Sequence, residues 1–434
     1  MARRLATAPA PVVGGVIGLM VLVVLHVVRG VEYWNFSEGV YAFTARLLLD
    51  GHDVYGDVVA AQPPVMLLAG AGILAVSDTI EGLRAGVALL QLAGGVLAAL
   101  TAARLGASRA WVVATPALAM LLPWAVHEHG ALTPEPIGLP LLLGAGLAAA
   151  RPGHAARVAG VLLAVAAFTK VTFLLPAVAV TLVARDRAVV ARWLVGALVV
   201  QAALWTALFG GGMWGDAVVA QSESAIRSVR YMVEVLSQSL WSLLGLLGGV
   251  AWLLCAWRRE RRSSTPAVDA DQRRVSVTLA IAMLLTSATM LKDGTGLNVL
   301  VPVETALLPL AVAGFALAWR TASRPAVRVV VVTLALLGPA QSMALLAGPE
   351  DPVGFLRPFS GTAWARLLSS DEVRAQATIA RACPPGAPYS GQPFVAFVAE
   401  RPMPADQPDL FITARAEHHR DVYARMLAVA PRCP

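Results

Sequence analysis

The sequence predicts an all-α polytopic membrane protein of about eleven transmembrane helices plus interfacial helices, followed by a small C-terminal α/β domain outside the membrane. Three observations carry that reading. The 434 residues are 57% hydrophobic and 14% charged, with mean hydropathy +0.68, where soluble domains carry about 25% charge. Apolar runs near the length that crosses a bilayer, roughly 20 residues, recur through residues 1–347. Beyond Ala347 they stop, and residues 348–434 are polar and proline-rich.

In chain order, spans fall at about 11–28, 83–103, 110–126, 136–150, 158–169, 171–184, 193–209, 236–257, 276–291, 299–319 and 327–347. The first follows MARR and lacks a small-residue cleavage site, so it reads as a retained span. Residues 64–77 are apolar but too short to cross comfortably. With 38–50 they suit interfacial helices in an outer loop, 31–82. Lys170 splits the pair 158–169 and 171–184. The stretch 258–275 is charged and carries Ser and Pro, as a linker does. In the tail, Pro393–Val398 and Asp409–Thr413 read as strands and Asp421–Val429 as a helix. Cys383 and Cys433 would close that domain with a disulfide in an oxidising compartment, and Cys255, inside a span, reads as an apolar residue.

Charge sets the orientation. Eighteen of the 34 Lys and Arg lie in loops on the N-terminal side, at most seven in the short loops opposite, and nine in the tail. The positive-inside rule therefore puts the N-terminus in the cytoplasm and the tail outside, in a multi-pass protein of the cell membrane. The net charge of +7 follows from topology and implies no nucleic-acid partner. Before the tail the acids run the other way, with four inner and fourteen outer. That second asymmetry, which no topological rule demands, points to chemistry on the outer face.

Five constellations could carry it. The first loop reads Ser37-Glu38-Gly39-Val40-Tyr41, then Ala45-Arg46, Gly51, Tyr55-Gly56-Asp57 and Gln62-Pro63-Pro64. Glu38 suits a general base, or an acid in the first turn of a helix capped by Ser37. The second outer loop holds His127-Glu128-His129 and Thr133-Pro134-Glu135-Pro136. No cofactor is fixed by the sequence. The two histidines and two acids could take a divalent metal or hold a phosphate, although the i,i+2 histidine spacing is not that of a helical metal site. Lys170 interrupts an apolar run, as a functional cation or a lysine snorkelling from a helix end. Lys292-Asp293-Gly294-Thr295-Gly296-Leu297-Asn298 is a glycine-rich turn fit to approach phosphate, ahead of a span containing Glu304. Arg227 and Arg230 could grip a diphosphate, or simply solvate an interfacial helix.

As a spaced set over about the first 310 residues, these motifs resemble the polytopic GT-C glycosyltransferases, in particular the bacterial protein mannosyltransferase and aminoarabinose transferase group. That group has an acid pair, an aromatic with Ala-Arg, Gly-x-x-x-Tyr-x-Asp and Lys-Pro-Pro. Glu38, Gly39, Tyr41, Ala45, Arg46, Gly51, Tyr55, Asp57, Pro63 and Pro64 stand in the matching places. Ser37 departs from the first acid and Gln62 from the lysine. The resemblance implies a GT-C fold and transfer of a hexosyl or pentosyl group from a polyprenyl-phosphate donor, taken laterally from the lipid bilayer, to an extracytoplasmic lipid, glycan or protein acceptor. It implies Glu38 as the catalytic base, with Lys170, Lys292, Glu135, His127, His129, Asp57, Tyr55 and Asn298 binding substrate. A non-catalytic GT-C-like assembly partner, given Ser37 and Gln62, and a transporter or flippase are the alternatives. The crowding of charge at one face weighs against the last.

Overall fold

The computed structural model describes residues 9–33, 36–220, 229–230, 233, 240–260, 269–291, 297–346, 370–415 and 419–428. The chain opens with α1 (Ala10–Arg29), α2 (Phe36–Leu49), α3 (Pro64–Leu74), α4 (Ile80–Arg104), α5 (Arg109–Met120), α6 (Pro123–His127), α7 (Pro134–Ala149), α8 (His154–Ala167) and α9 (Leu174–Val183). It continues through α10 (Arg187–Phe209), α11 (Leu240–Glu260), α12 (Ala270–Thr286), α13 (Leu300–Thr321) and α14 (Pro325–Leu346). The tail carries α15 (Ser370–Ala382), α16 (Pro393–Ala399), α17 (Leu410–Arg415) and α18 (Arg420–Ala428).

Six helices, α1, α4, α10, α11, α13 and α14, are long and apolar enough to cross a membrane, so the chain is a multi-pass membrane protein. The others in the first 346 residues are shorter. The expected single span 110–126 is divided: α5 stops at Met120, Leu122 is extended, and Pro123 begins α6. Proline disfavours helix in the residue before it and has no N–H to donate, which breaks the run at that point. Lys170 is likewise extended between α8 and the turn that starts α9. The centre of the bundle is α13, apolar all round and 94% buried over its membrane-length window, packed by α4, α5, α7, α11, α12 and α14.

The tail is a correction to the α/β expectation. Pro393–Ala399 and Leu410–Arg415 are helices, and among the described residues no strand occurs, only isolated bridge residues such as the Val54–Val58 pair. An unbroken apolar run of five to seven residues fits a buried strand or a buried helix equally. Here Pro393 occupies the first turn of α16, where its missing N–H costs nothing. Asp409 Oδ1 accepts the Ile412 N–H and caps α17.

Among the described residues the tail has no core of its own. Phe394, Val395, Phe397 and Met403 join one hydrophobic cluster with Tyr33, Tyr55, Met66, Leu67 and Leu83 of the first loop and its flanks. Tyr33 stacks on Phe394 at 4.8 Å, and Arg46 lies 3.8 Å over the Phe397 ring. A Cβ on Gly39 would overlap the Phe394 backbone, so α2 accepts α16 only with glycine there. A segment with so few apolar residues stabilises itself by sharing its neighbour's core. Cys383 is disulfide-bonded and Cys255 is free, while Cys433 lies outside the described residues.

Candidate active site

Two buried polar clusters sit beneath the first loop. In the first, the carboxylate of Glu135 is completely buried and doubly engaged. Lys170 Nζ donates to Oε1 at 2.5 Å and Asn298 Nδ2 to Oε2 at 2.8 Å. Each comes from a different break in the bundle. Glu135 stands in the first turn of α7 behind Pro134, Lys170 in the extended link before α9, and Asn298 in the turn that starts α13. Residues 35 and 163 positions apart thus converge on one carboxylate. Lys170 is the one of the ion pair with exposed side-chain surface, 13% against zero for Glu135. Lys292, expected beside Asn298, lies outside the described residues, as do Arg227 and Tyr231.

The second cluster surrounds Glu38. Arg84 grips both carboxylate oxygens, Nε to Oε1 and Nη2 to Oε2, each at 2.7 Å. The same guanidinium donates to the carbonyls of Gly30 and Glu32, and both side chains are buried. Arg29 donates to the His127 carbonyl at 2.8 Å, and His127 Nδ1 pairs with Glu128 Oε1 at 2.8 Å. Gly130 lies against the Arg84 backbone, so the histidine loop and Glu38 meet around one arginine. His129 is buried there with no hydrogen-bond partner on either ring nitrogen. Burial, together with the charges of Arg29, His26 and Arg84, pushes its pKa down to about 3. At neutral pH it is an uncharged imidazole and supplies no cation to a phosphate. Among the described residues no three of His, Cys, Asp and Glu are placed to hold a metal ion.

Tyr41, one turn beyond Glu38, joins the two clusters. Its hydroxyl accepts from Gln62 Nε2 at 3.0 Å and bonds with Ser37, and it feels the charges of Asp409 and Glu135. Burial first, then Asp409, raises its pKa. The two positions that depart from the family pattern, Ser37 and Gln62, therefore meet on one phenol as a neutral network. Tyr55 extends it: the chain turns there with φ 75°, and its hydroxyl donates to the Gln62 carbonyl at 2.6 Å. Asp57 is different. Its side chain is exposed, and it is its carbonyl that is used, accepting from Gln407 Nε2 at 2.6 Å. The tail closes over this wall: Gln407 Oε1 accepts the Val59 N–H, and Ile412 packs on Val59 and Ala61. Asp409, between those two contacts in sequence, is buried and near enough for its charge to act on Tyr41.

Sequence reasoning missed Arg84, Arg29, Tyr41 and Asp409 as site residues. Arg84 carried a signal, a charge one turn inside the apolar run of α4. Asp409 carried none, because it reaches the site from the far end of the chain. Glu304 supports the floor: its Oε2 accepts the N–H of Trp124 at 3.2 Å and so caps α6, which delivers the histidine loop. Glu304→Leu, which orphans that N–H, is expected to cost about 1–3 kcal/mol. Glu304→Gln, which keeps an acceptor, should melt near wild type in a detergent thermal-shift assay. Equal losses in the two variants would remove the capping role.

Two crystal structures of ArnT from Cupriavidus metallidurans are similar to this chain. The one bound to undecaprenyl phosphate superposes with TM-score 0.58 at 16% identity, covering 89% of this chain and 85% of that one. The apo form gives 0.57 at 16%, covering 89% and 84%. The oligosaccharyltransferase of Archaeoglobus fulgidus in its apo form gives 0.50 at 14% identity, covering 95% of this chain and 69% of that one. No family description matches the sequence, and no curated protein matches it.

Proposed function

The chain has the fold of the polytopic GT-C membrane glycosyltransferases, and from that premise we propose that it is itself a glycosyltransferase of the bacterial cytoplasmic membrane. It takes one sugar from a polyprenyl-phosphate donor and passes it to a lipid, glycan or protein acceptor on the outer face. The observation that carries this reading is the Glu135–Lys170–Asn298 cluster, a buried ion pair with one accessible cation, set at a break between membrane helices. A donor that keeps its tail in the bilayer could present its phosphate there. Support also comes from ArnT of Cupriavidus metallidurans, which was crystallised with undecaprenyl phosphate. We read residues 1–347 as the membrane unit with eleven crossings and residues 348–434 as an outer cap, with the N-terminus inside. The asymmetry of arginines supports that orientation.

In this reading Lys170, aided by Lys292, binds the donor phosphate, and Asn298 fixes Glu135 so that Lys170 stays oriented. The acceptor hydroxyl attacks the anomeric carbon as the bond from that carbon to the phosphate oxygen breaks. Polyprenyl phosphate leaves, and the hydroxyl proton goes to a carboxylate. Lipid phosphate is a good leaving group, so no paired general acid is needed. Glu38 is poorly placed to take the proton, since Arg84 occupies both its oxygens, and we assign it a positioning role. Asp409, a buried carboxylate of the tail whose charge acts on Tyr41, is our candidate base.

Asp409→Asn tests that choice. An Asn keeps the oxygen that caps α17 but loses the charge. It should leave melting unchanged and lower kcat by about 10²–10⁴-fold, the usual contribution of a general base. Transfer of labelled sugar from polyprenyl-phosphate donors at wild-type rate would remove Asp409 from the mechanism. A second reading, a donor-binding partner without turnover, is favoured by the neutral Ser37–Tyr41–Gln62 network. Purified wild type that binds donor and never releases polyprenyl phosphate would establish it instead.

A further inference from the structure

A second feature lies on helices that the proposed reaction does not use. Between α8 and α10 runs an open groove of about 730 Å³, lined by Arg157, Val161, Val189, Arg192, Trp193, Gly196, Ala197 and Val200. The spacing explains it. Arg157 and Val161 are one turn apart on α8, and the α10 residues recur at three and four, so each set forms a single helical face. From Val189 to Val200 the groove runs along about 16 Å of helix. The walls are fixed, because a Cβ on Gly160 would meet the Val190 carbonyl at 2.6 Å and the Leu194 N at 2.7 Å. The floor is open: a Cβ on Gly196 would meet nothing within 4 Å.

Charge is confined to one end. Arg157 lies in the first turn of α8 and Arg192 in the second of α10, both exposed. Among the described residues neither guanidinium has a hydrogen-bond or ion-pair partner. The N-termini of the two helices point to that same end and add their partial positive charge. Arg151, Arg185 and Arg187 lie nearby in sequence, on the side that the charge asymmetry makes cytoplasmic. Trp193 is exposed and directly follows Arg192, where an indole suits the boundary between acyl chain and headgroup. An apolar partner helix, or a second copy of this apolar face, would leave both arginines uncompensated against hydrocarbon. A lipid phosphate would not.

We infer that this groove binds an anionic glycerophospholipid of the inner leaflet, with its phosphate between Arg157 and Arg192 and one acyl chain along Gly196, Ala197 and Val200. Basic pockets between membrane helices on the cytoplasmic side hold anionic headgroups by this combination of charge and slot. Arg157 and Lys170 lie at opposite ends of α8, so the site serves anchoring or stability and leaves transfer to the Lys170 end.

The test is native mass spectrometry of the full chain released from phosphatidylcholine nanodiscs with and without added phosphatidylglycerol. Retention of phosphatidylglycerol over phosphatidylcholine is expected. Arg157→Gln and Arg192→Gln should each weaken it about fivefold, a factor that follows from roughly 1 kcal/mol per surface arginine. Gly196→Leu, which fills open space and touches no charge, should block retention while leaving the fold intact. Equal retention of both lipids, or none of these losses in the variants, would overturn the site. So would competition by free glycerol phosphate or by undecaprenyl phosphate, or homodimer cross-linking through Gly196→Cys.

Discussion

Arg84→Met is expected to destabilise the outer loop by about 3–5 kcal/mol, because it leaves the Glu38 carboxylate buried without its partner. The loss goes beyond one ion pair. Arg84 also holds the carbonyls of Gly30 and Glu32, the link between α1 and α2, and its guanidinium lies 5.2 Å from the Phe394 ring of the tail. One side chain therefore ties α1, α2, α4 and the tail together. Glu38→Gln should cost nearly as much by stranding the arginine. The double variant Arg84→Met/Glu38→Leu should recover much of the loss, since two apolar side chains need no partner. Thermal unfolding in detergent and protease cleavage at the exposed residues 50–53 measure this. Strictly additive losses in the double variant would show that the pair is not coupled and that Glu38 acts elsewhere.

That prediction rests on something the sequence did not display. Hydrophobicity made the membrane helices legible, since runs such as 11–28 and 299–319 have no other stable fate in a chain so poor in charge. Proline offered a break at Pro123, but Pro116 lies inside α5, so sequence alone did not show which proline divides 110–126. Individual polar residues were legible as well. Glu135, Lys170 and Asn298 each stand out because charge or amide in an apolar setting needs a reason.

Their partnership was not legible. Glu135 was grouped with the histidines six to eight positions before it, and it pairs instead with residues 35 and 163 positions away. Glu38 read as a base or a first-turn acid, because its partner sits 46 positions on, at a helix border where topology already accounted for an arginine. The tail failed for another reason. Its apolar runs are too short for periodicity to separate strand from helix, and the deciding contacts are with residues near the other end of the chain. Gly39 against Phe394 is one such contact, and Val59 against Gln407 is another.

Lys170→Met should abolish measurable transfer, and the reason lies in what the lysine faces on either side. Toward the protein it neutralises a carboxylate with no exposed surface. On its exposed side, in the proposed reading, it offers the accessible cation of that cluster to a phosphate. A charge-assisted hydrogen bond of this kind contributes about 1.5–3 kcal/mol, so donor affinity should fall roughly 10- to 150-fold. The leaving phosphate gains charge as the sugar departs, so kcat should fall further. The single variant also strands Glu135 and would lose stability, which confuses folding with binding. Lys170→Met/Glu135→Leu separates them by removing both charges, and it should melt closer to wild type than the single variant while remaining unable to bind donor. Binding of a fluorescent polyprenyl phosphate and sugar transfer should be measured on both. If the stable double variant binds as tightly as wild type, Lys170 serves only to hold Glu135 and the donor phosphate lies elsewhere.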